Sequence, residues 1–298
     1  MKHSNAIRTS WTQALENNIA PCQDSLTEHL LEVHKRHPGF TEGCASKCKN
    51  AAGQTSYEWL CDVLKPDQHR HVLDLACGSG LLLELCHDIL PQNSSLSGID
   101  LSPAELAIAK ERLIGKNITL HKGLAQNLSF AEADSFDAAL CHWALTLMDP
   151  IEPVLEEIDR VLSNNGVFAA IVDGDLDAAP GYTDINEIVF KHVTNEVQNY
   201  GDRDLGDPRT RNPKSLHSLV SSVFDKAQID VETSVFTLRG NATAVAHEAV
   251  GFFYAAFILP PPKRAILIDE LTDFLNSRSS GETSYFSMPV CRLRVLRK

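Results

Sequence analysis

Asp74, Gly78, Gly80 and Asp100 are the residues whose types and spacing promise chemistry in this sequence. Asp74 stands in the apolar run Val72-Leu73-Asp74-Leu75-Ala76-Cys77, and Gly78-Ser79-Gly80 follows before a second apolar run, Leu81 to Leu85. Glycines accept backbone dihedrals that side chains resist, and they let a backbone approach a ligand closely. A helix beginning there presents unpaired N–H groups and the positive end of its dipole. Twenty residues past Gly80, the run Leu96-Ser97-Gly98-Ile99-Asp100 ends in a second acid. A carboxylate so placed can accept from both hydroxyls of a ribose through charge-assisted bonds. The pattern is that of a site for a nucleoside cofactor. Its bland alternative makes Asp100 a solvated strand-end acid that caps the helix after Ser102.

Two further residues are candidates for catalysis. His142 follows the apolar run Phe136 to Cys141, and an imidazole can take a proton from a hydroxyl or phenol because it titrates near neutrality. The alternative is a histidine satisfied within the fold, or one that meets the cofactor through its backbone. Asp173 opens an acidic run with Asp175 and Asp177; it can orient a substrate hydroxyl or amine, or merely solvate a loop. No metal is expected. Magnesium takes oxygen ligands, for which His142 is a poor substitute, and Cys44-x-x-x-Cys48 lacks a second pair at zinc-finger spacing.

Strands near 71–76, 95–100, 117–121, 136–141 and 167–172 and helices near 80–90, 103–114 and 151–163 must position these groups. Ser102-Pro103 is a helix start, with a capping hydroxyl and a proline at the first helical position. Asn164-Asn165-Gly166 is a helix stop whose residues tolerate left-handed backbone. Strands alternating with helices predict an α/β fold, a parallel sheet covered on both faces, with ligands at the carboxyl ends of its strands. A dinucleotide fingerprint needs a third glycine, and Leu81, Leu82 and Leu83 stand there instead.

The string Leu73-Asp74-Leu75-Ala76-Cys77-Gly78-Ser79-Gly80 resembles motif I of the class I S-adenosylmethionine (SAM)-dependent methyltransferases. Gly123-Leu124-Ala125-Gln126-Asn127-Leu128-Ser129-Phe130 is similar to that family's segment after strand three. Phe136 to Leu145 resembles its strand four, and Leu155-Glu156-Glu157-Ile158-Asp159-Arg160-Val161-Leu162 with Ser163-Asn164-Asn165-Gly166 its approach to strand five. The resemblance covers roughly residues 55–175. It implies a Rossmann-like seven-stranded, mostly parallel sheet with helices on both faces, and SAM as cofactor with S-adenosylhomocysteine as product. It implies that Asp74, Ala76, Gly78 and Gly80 shape the loop around the methionine end and that Asp100 takes the ribose. Leu101, Ala125 and Gln126 then meet the adenine, and His142 lies near the transferred methyl. Ala76 replaces a glycine common in the family. Leu124 replaces a frequent Asp that accepts from the adenine amino group, which leaves adenine to the Ala125 amide, Gln126 and apolar packing.

By the same resemblance, residues 1–60 form an N-terminal helical lid, the alternative being helices that merely cover the sheet edge, and residues 61–298 form the SAM-binding domain with a cap insertion at about 174–215. The lid's helices are read from the stripe Leu26, Leu30, Leu31, Val33 and His34, stopped by Pro38-Gly39, from 56–64, and from Trp11 with Ala14. Trp11 is a candidate to cover the cofactor. Beyond the insertion's helix at 182–199, a helix at 214–225 and a strand at 229–238 are expected. Helices at 243–258 and 263–277 follow, then a last strand at 285–296 that runs antiparallel between strands five and six in the family.

The 298 residues carry a formal charge of −12, which opposes binding to phosphate backbones. Nucleic acid is therefore an unexpected partner. No apolar run reaches the ~18–20 residues that span a bilayer, and Met1-Lys2-His3-Ser4 opens a polar stretch without an apolar leader. The eight cysteines show no disulfide or finger spacing and suit a reducing cytoplasm. The apolar run Val250 to Phe257 serves core packing or a homodimer face. Together these features predict methyl transfer to an O or N atom of a small or medium-sized organic acceptor. An RNA or protein methyltransferase and a silent SAM-binding protein are the alternatives.

Overall fold

The computed structural model describes residues 6–279, 281 and 283–298. The polar start Met1 to Ser4 lies outside the described residues, as does the beginning of the expected lid. In chain order the elements are α1 (Ser10–Glu16), α2 (Gln23–Arg36), α3 (Phe40–Ala45), α4 (Ser56–Cys61), β1 (His71–Leu75), α5 (Leu81–Ile89), β2 (Ser95–Asp100), α6 (Pro103–Arg112), β3 (Ile118–Lys122), β4 (Phe136–His142), α7 (Glu152–Val161), β5 (Leu162–Asp173), α8 (Tyr182–Glu196), α9 (Pro213–Val223), β6 (Gln228–Gly240), α10 (Ala242–Phe252), α11 (Pro261–Ser277) and β7 (Ser284–Leu296). The strands form one seven-stranded sheet in the order β3-β2-β1-β4-β5-β7-β6. β1 to β5 pair in parallel, and β7 runs antiparallel to β5. This is the Rossmann-like sheet expected, with the last strand where the resemblance puts it.

Two compact units divide the chain. One comprises Gln54–Asp175, Leu205–Ser234 and Val290–Lys298; the other comprises Met1–Gly53, Leu176–Asp204 and Val235–Pro289. The division differs from a lid ending at residue 60 and a cap over 174–215. α4 and the segment 205–215 group with the sheet, and 235–289 group with the N-terminal helices.

In the sheet unit, β4 and β5 are buried on both faces, so their sequences read as continuous apolar runs. α7 seals one side with Val154, Leu155, Ile158 and Val161, a helical stripe that is fully buried. β5 begins earlier than expected. α7 ends at Val161 and Leu162 already pairs with Phe136; an irregularity then carries the register to Ala138 opposite Val167. Asn165 does adopt positive φ, but inside this strand entry, and so Asn164-Asn165-Gly166 does not cap the helix.

In the other unit, α1 and α2 meet the end of α8 through a buried polar knot. The Thr9 hydroxyl and the Tyr200 hydroxyl bond opposite nitrogens of His29, at 3.0 and 3.3 Å. Burial lowers the pKa of His29 to about 4, so its ring is neutral. Trp11 is buried in this core, stacked near His29. α3 was not anticipated; Gly39, read as a stop, adopts φ 74° and also opens the next helix. The expected helix 243–258 breaks at Phe253, which turns into a cluster with Tyr182, Phe252 and Phe286. That run is thereby largely buried within its own unit, which favours core packing over an exposed dimer face. No helix among the described residues is long and apolar enough to cross a membrane.

Candidate functional site

Asp74 sits on the central strand β1 between Gly98 of β2 and Leu140 of β4. It is 1% exposed, and its Oδ2 has no hydrogen-bond partner among the described residues. Burial first, and then the nearby Asp100, push its carboxyl well above the usual carboxylate range. The turn that follows is built from left-handed residues: Ala76 at φ 54°, Gly78 at 51° and Gly80 at 81°. Ala76 thus holds a conformation that glycine adopts at lower cost. A Cβ on Gly80 would stand 3.1 Å from both the Ala109 and Leu113 side chains of the neighbouring helix segment, so α5 and α6 approach only because this residue is bare.

The turn folds back onto β2. Cys77 N–H donates to the Ile99 carbonyl at 3.0 Å, which brings the Cys77 side chain over Gly98. A Cβ on Gly98 would lie 2.7 Å from Leu83 Cδ1 and 2.8 Å from Cys77 Sγ. Gly98 is therefore a site-shaping residue that the sequence reading passed over. Its signal was a lone glycine inside a strand, which marks close approach of another segment.

Asp100 is tied to both neighbouring turns. Its Oδ2 accepts from Gly78 N–H at 2.8 Å and its Oδ1 from Ser102 N–H at 2.7 Å. These bonds fix the carboxylate plane, and a carboxylate oxygen can accept more than one hydrogen bond. Asp100 steadies the entry to α6, while the helix cap itself is the Ser102 hydroxyl. Leu101 is half-buried beside it. Gly123 N–H donates to the Asp100 carbonyl at 3.0 Å, so the segment after β3 starts alongside the acid. There Leu124 is 40% exposed and Ala125 is buried. The Gln126 amide donates to the Pro150 carbonyl at 3.5 Å and so faces the segment between β4 and α7. Asp74, Ala76, Gly78, Gly80, Asp100, Leu101, Ala125 and Gln126 are thus gathered at the carboxyl ends of β1, β2 and β3.

His142 ends β4. Its Nε2 is hydrogen-bonded to the Ser56 hydroxyl at 2.9 Å, and its ring stacks on Tyr57 with centroids 3.6 Å apart. Burial lowers its pKa to about 3, so the imidazole is neutral and only weakly basic. Ser56 and Tyr57 open α4, whose start is fixed by a reciprocal Thr55–Glu58 capping box. That signature places the helix in the sequence but does not reveal its contact with residue 142. Asp173 ends β5 and is ion-paired with Arg211, which also donates to the carbonyls of Thr146 at 3.1 Å and Leu205 at 3.0 Å. Gly206 lets this crossing happen, since a Cβ there would stand 2.5 Å from the Thr146 carbonyl oxygen. Asp175 and Asp177 are exposed.

Residues 73–170 match the family model described as a methyltransferase domain. The chain is 32% identical over 105 residues to the demethylmenaquinone methyltransferase of Symbiobacterium thermophilum, an alignment covering 34% of this chain and 41% of the relative. It is 37% identical over 106 residues to the 2-phytyl-1,4-naphtoquinone methyltransferase of Synechococcus elongatus, covering 34% and 45%. The chain thus spans less than half the length of these curated relatives. Among solved structures, the YcgJ protein of Bacillus subtilis superposes with a TM-score of 0.53 at 16% identity, over 82% of this chain and 98% of that one. The [4+2]-cyclase SpnF gives 0.53 at 15%, over 93% and 97%. These two likenesses establish the fold, which a cyclase shares.

Proposed function

We propose that this chain is a class I S-adenosylmethionine-dependent methyltransferase that transfers the cofactor's methyl group to an oxygen or nitrogen of a small or medium-sized organic acceptor; the methyltransferase-domain match over residues 73–170 supports that reading. The observation that carries the cofactor reading is the buried Asp74 carboxyl with its orphaned Oδ2, set behind a left-handed glycine turn. Burial keeps such a carboxyl neutral when it stands alone, and a cationic ligand beside it would let it ionise and pair; the ammonium of the cofactor's methionine end would be one. Asp100, oriented by two backbone N–H groups, would hold the ribose. Leu101, Leu124 and Ala125 would supply apolar surface to the adenine, with Gln126 at its edge.

The sulfonium supplies an already activated methyl carbon. What remains for the protein is to place the acceptor in line and exclude water, and positioning alone can supply much of such a rate. His142, neutral and held by Ser56 and Tyr57, would form the wall at the end of β4. Asp173, held by Arg211, would orient the acceptor. In this reading neither takes the proton in the methyl-transfer step, so the acceptor arrives as a ready nucleophile. A small acceptor suits the net charge of −12, which disfavours nucleic acid. The relatives named for demethylmenaquinone and 2-phytyl-1,4-naphtoquinone support a small organic acceptor. The lid role of residues 1–60 and the cap role of 174–215 belong to this proposal, as does a cytoplasmic location; limited proteolysis with and without SAM tests the lid.

The deciding experiment incubates the purified protein with methyl-labelled SAM and a cell extract, then separates small molecules, protein and nucleic acid, with Asp100→Ala as control. Label in small molecules that vanishes with Asp100→Ala is the expected result. Label in RNA or protein would replace the acceptor class. SAM binding without transfer to any fraction would make this chain a silent binder.

A further inference from the structure

The segment after β3 that carries Leu124, Ala125 and Gln126 is held at both ends. Its beginning is fixed by Gly123, which donates to the Asp100 carbonyl. Its far end is fixed by two side chains of α7 at i and i+3. Leu128 N–H donates to Glu157 Oε2 at 2.7 Å, while Arg160 Nη2 donates to the Leu128 carbonyl at 3.1 Å. Arg160 Nη1 also donates to the Ala131 carbonyl at 3.0 Å. The two side chains lock each other: Arg160 Nε meets Glu157 Oε1 at 2.6 Å and Arg160 Nη2 meets Glu157 Oε2 at 2.8 Å. One bidentate ion pair thus captures both backbone groups of Leu128, a residue whose side chain is fully buried. Planar guanidinium and carboxylate forks fix direction as well as distance, which suits them to hold a segment lacking regular strand or helix.

We infer that Glu157 and Arg160 are positioning residues for the nucleoside half of the cofactor site, holding residues 123–128 in register with Asp100 through the backbone of Leu128. The inference rests on the SAM-binding reading above. Without the pair, Leu124, Ala125 and Gln126 would have to be ordered when the ligand binds, and that ordering cost appears as lost affinity. A structural ion pair elsewhere in the same unit would cost stability and leave affinity alone. Arg297 supplies the comparison, since it pairs with Asp134 and Asp159 and donates to the Leu162 carbonyl.

The test is calorimetric titration of SAM into wild type, Arg160→Met, Glu157→Gln and Arg297→Met, with amide hydrogen exchange of residues 123–131 in the ligand-free chains. Arg160→Met should weaken SAM binding by about tenfold, the order expected for a charged hydrogen bond, and speed exchange across 123–131. Glu157→Gln retains an oxygen that can accept from Leu128 N–H, so a smaller loss is expected; it also carries the test if Arg160→Met does not fold. Arg297→Met should keep wild-type affinity and wild-type exchange in that segment. Equal affinities in the Arg160, Glu157 and Arg297 variants would overturn the inference. A wild type that binds no SAM would remove the cofactor reading and this inference with it.

Discussion

Asp74→Asn should make the ligand-free protein more stable and the cofactor site worse. The substitution keeps the shape of the side chain and removes an ionisable group from a position that is 1% exposed, with an oxygen that has no partner among the described residues. The sign follows from linkage. The folded-state pKa of Asp74 lies above its unfolded value, so between those two values the folded chain holds a proton that the unfolded chain has released. Stability therefore falls as pH rises through that window, which opens near the ordinary carboxylate pKa of about 4. An unsatisfied buried polar group costs about 1–3 kcal/mol. Asparagine leaves an amide to satisfy, so a gain of about 1 kcal/mol is expected, or about 1.5 °C in Tm for a chain of 298 residues. Lost pairing with a cationic ligand removes a charged hydrogen bond of about 1.5–3 kcal/mol, which is roughly 10- to 100-fold in SAM affinity. Thermal melts from about pH 5 to pH 8 with and without SAM read both effects, and the stability difference should widen as pH rises. A variant less stable than wild type throughout that range, or one with an undiminished SAM-induced shift, would refute the reasoning.

Three further outcomes follow from named contacts. Gly98→Ala should cost about 1–3 kcal/mol as an overpacking substitution, because its Cβ would meet Leu83 and Cys77 within 2.8 Å; unchanged denaturant midpoints would contradict the close approach of the turn. Ala76→Gly should stabilise by up to about 1 kcal/mol, the left-handed cost of about 1–2 kcal/mol less the freedom glycine adds to the unfolded chain; a melt showing net loss would count against the strained turn. His29 has a folded pKa of about 4 against 6.5, so the stability its neutral form contributes is lost as pH falls through that interval. His29→Gln should flatten the acid limb of stability by up to about 1.4 kcal/mol per pH unit, and parallel wild-type and variant curves from denaturant titrations would exclude the buried neutral ring.

The parts of the site that were legible in the sequence are those imposed by backbone geometry. Gly78 and Gly80 advertise left-handed turns, Ser102-Pro103 a helix start and Asp100 a strand end, each through its own residue type, and the structure places them accordingly. Gly98 was readable by the same logic. What stayed hidden depends on pairs distant in sequence. Ser56 meets His142 across 86 residues and Arg211 meets Asp173 across 38, and neither side chain advertises its partner. The two compact units were hidden for the same reason, since one of them draws on three separate stretches of chain.

This asymmetry bears on function. A nucleoside cofactor is held largely by backbone turns and strand-end acids, which local sequence must encode; an acceptor is held by side chains assembled from several elements, which it need not. Leu124 lies between the two cases. Its departure from the acid frequent in the family that this sequence resembles was visible in the sequence, and its side chain is 40% exposed, which leaves apolar surface in the segment after β3. On the proposed reading, adenine recognition would then depend more on where residues 123–128 stand than on any single hydrogen-bond acceptor among them. That dependence makes the Glu157–Arg160 pair matter more here than it would if an acid stood at position 124. Leu124→Asp should accordingly restore a direct acceptor and reduce the affinity lost by Arg160→Met, a coupling that a double-mutant cycle on SAM binding reads directly. Additive losses would instead place Leu124 outside the adenine contact.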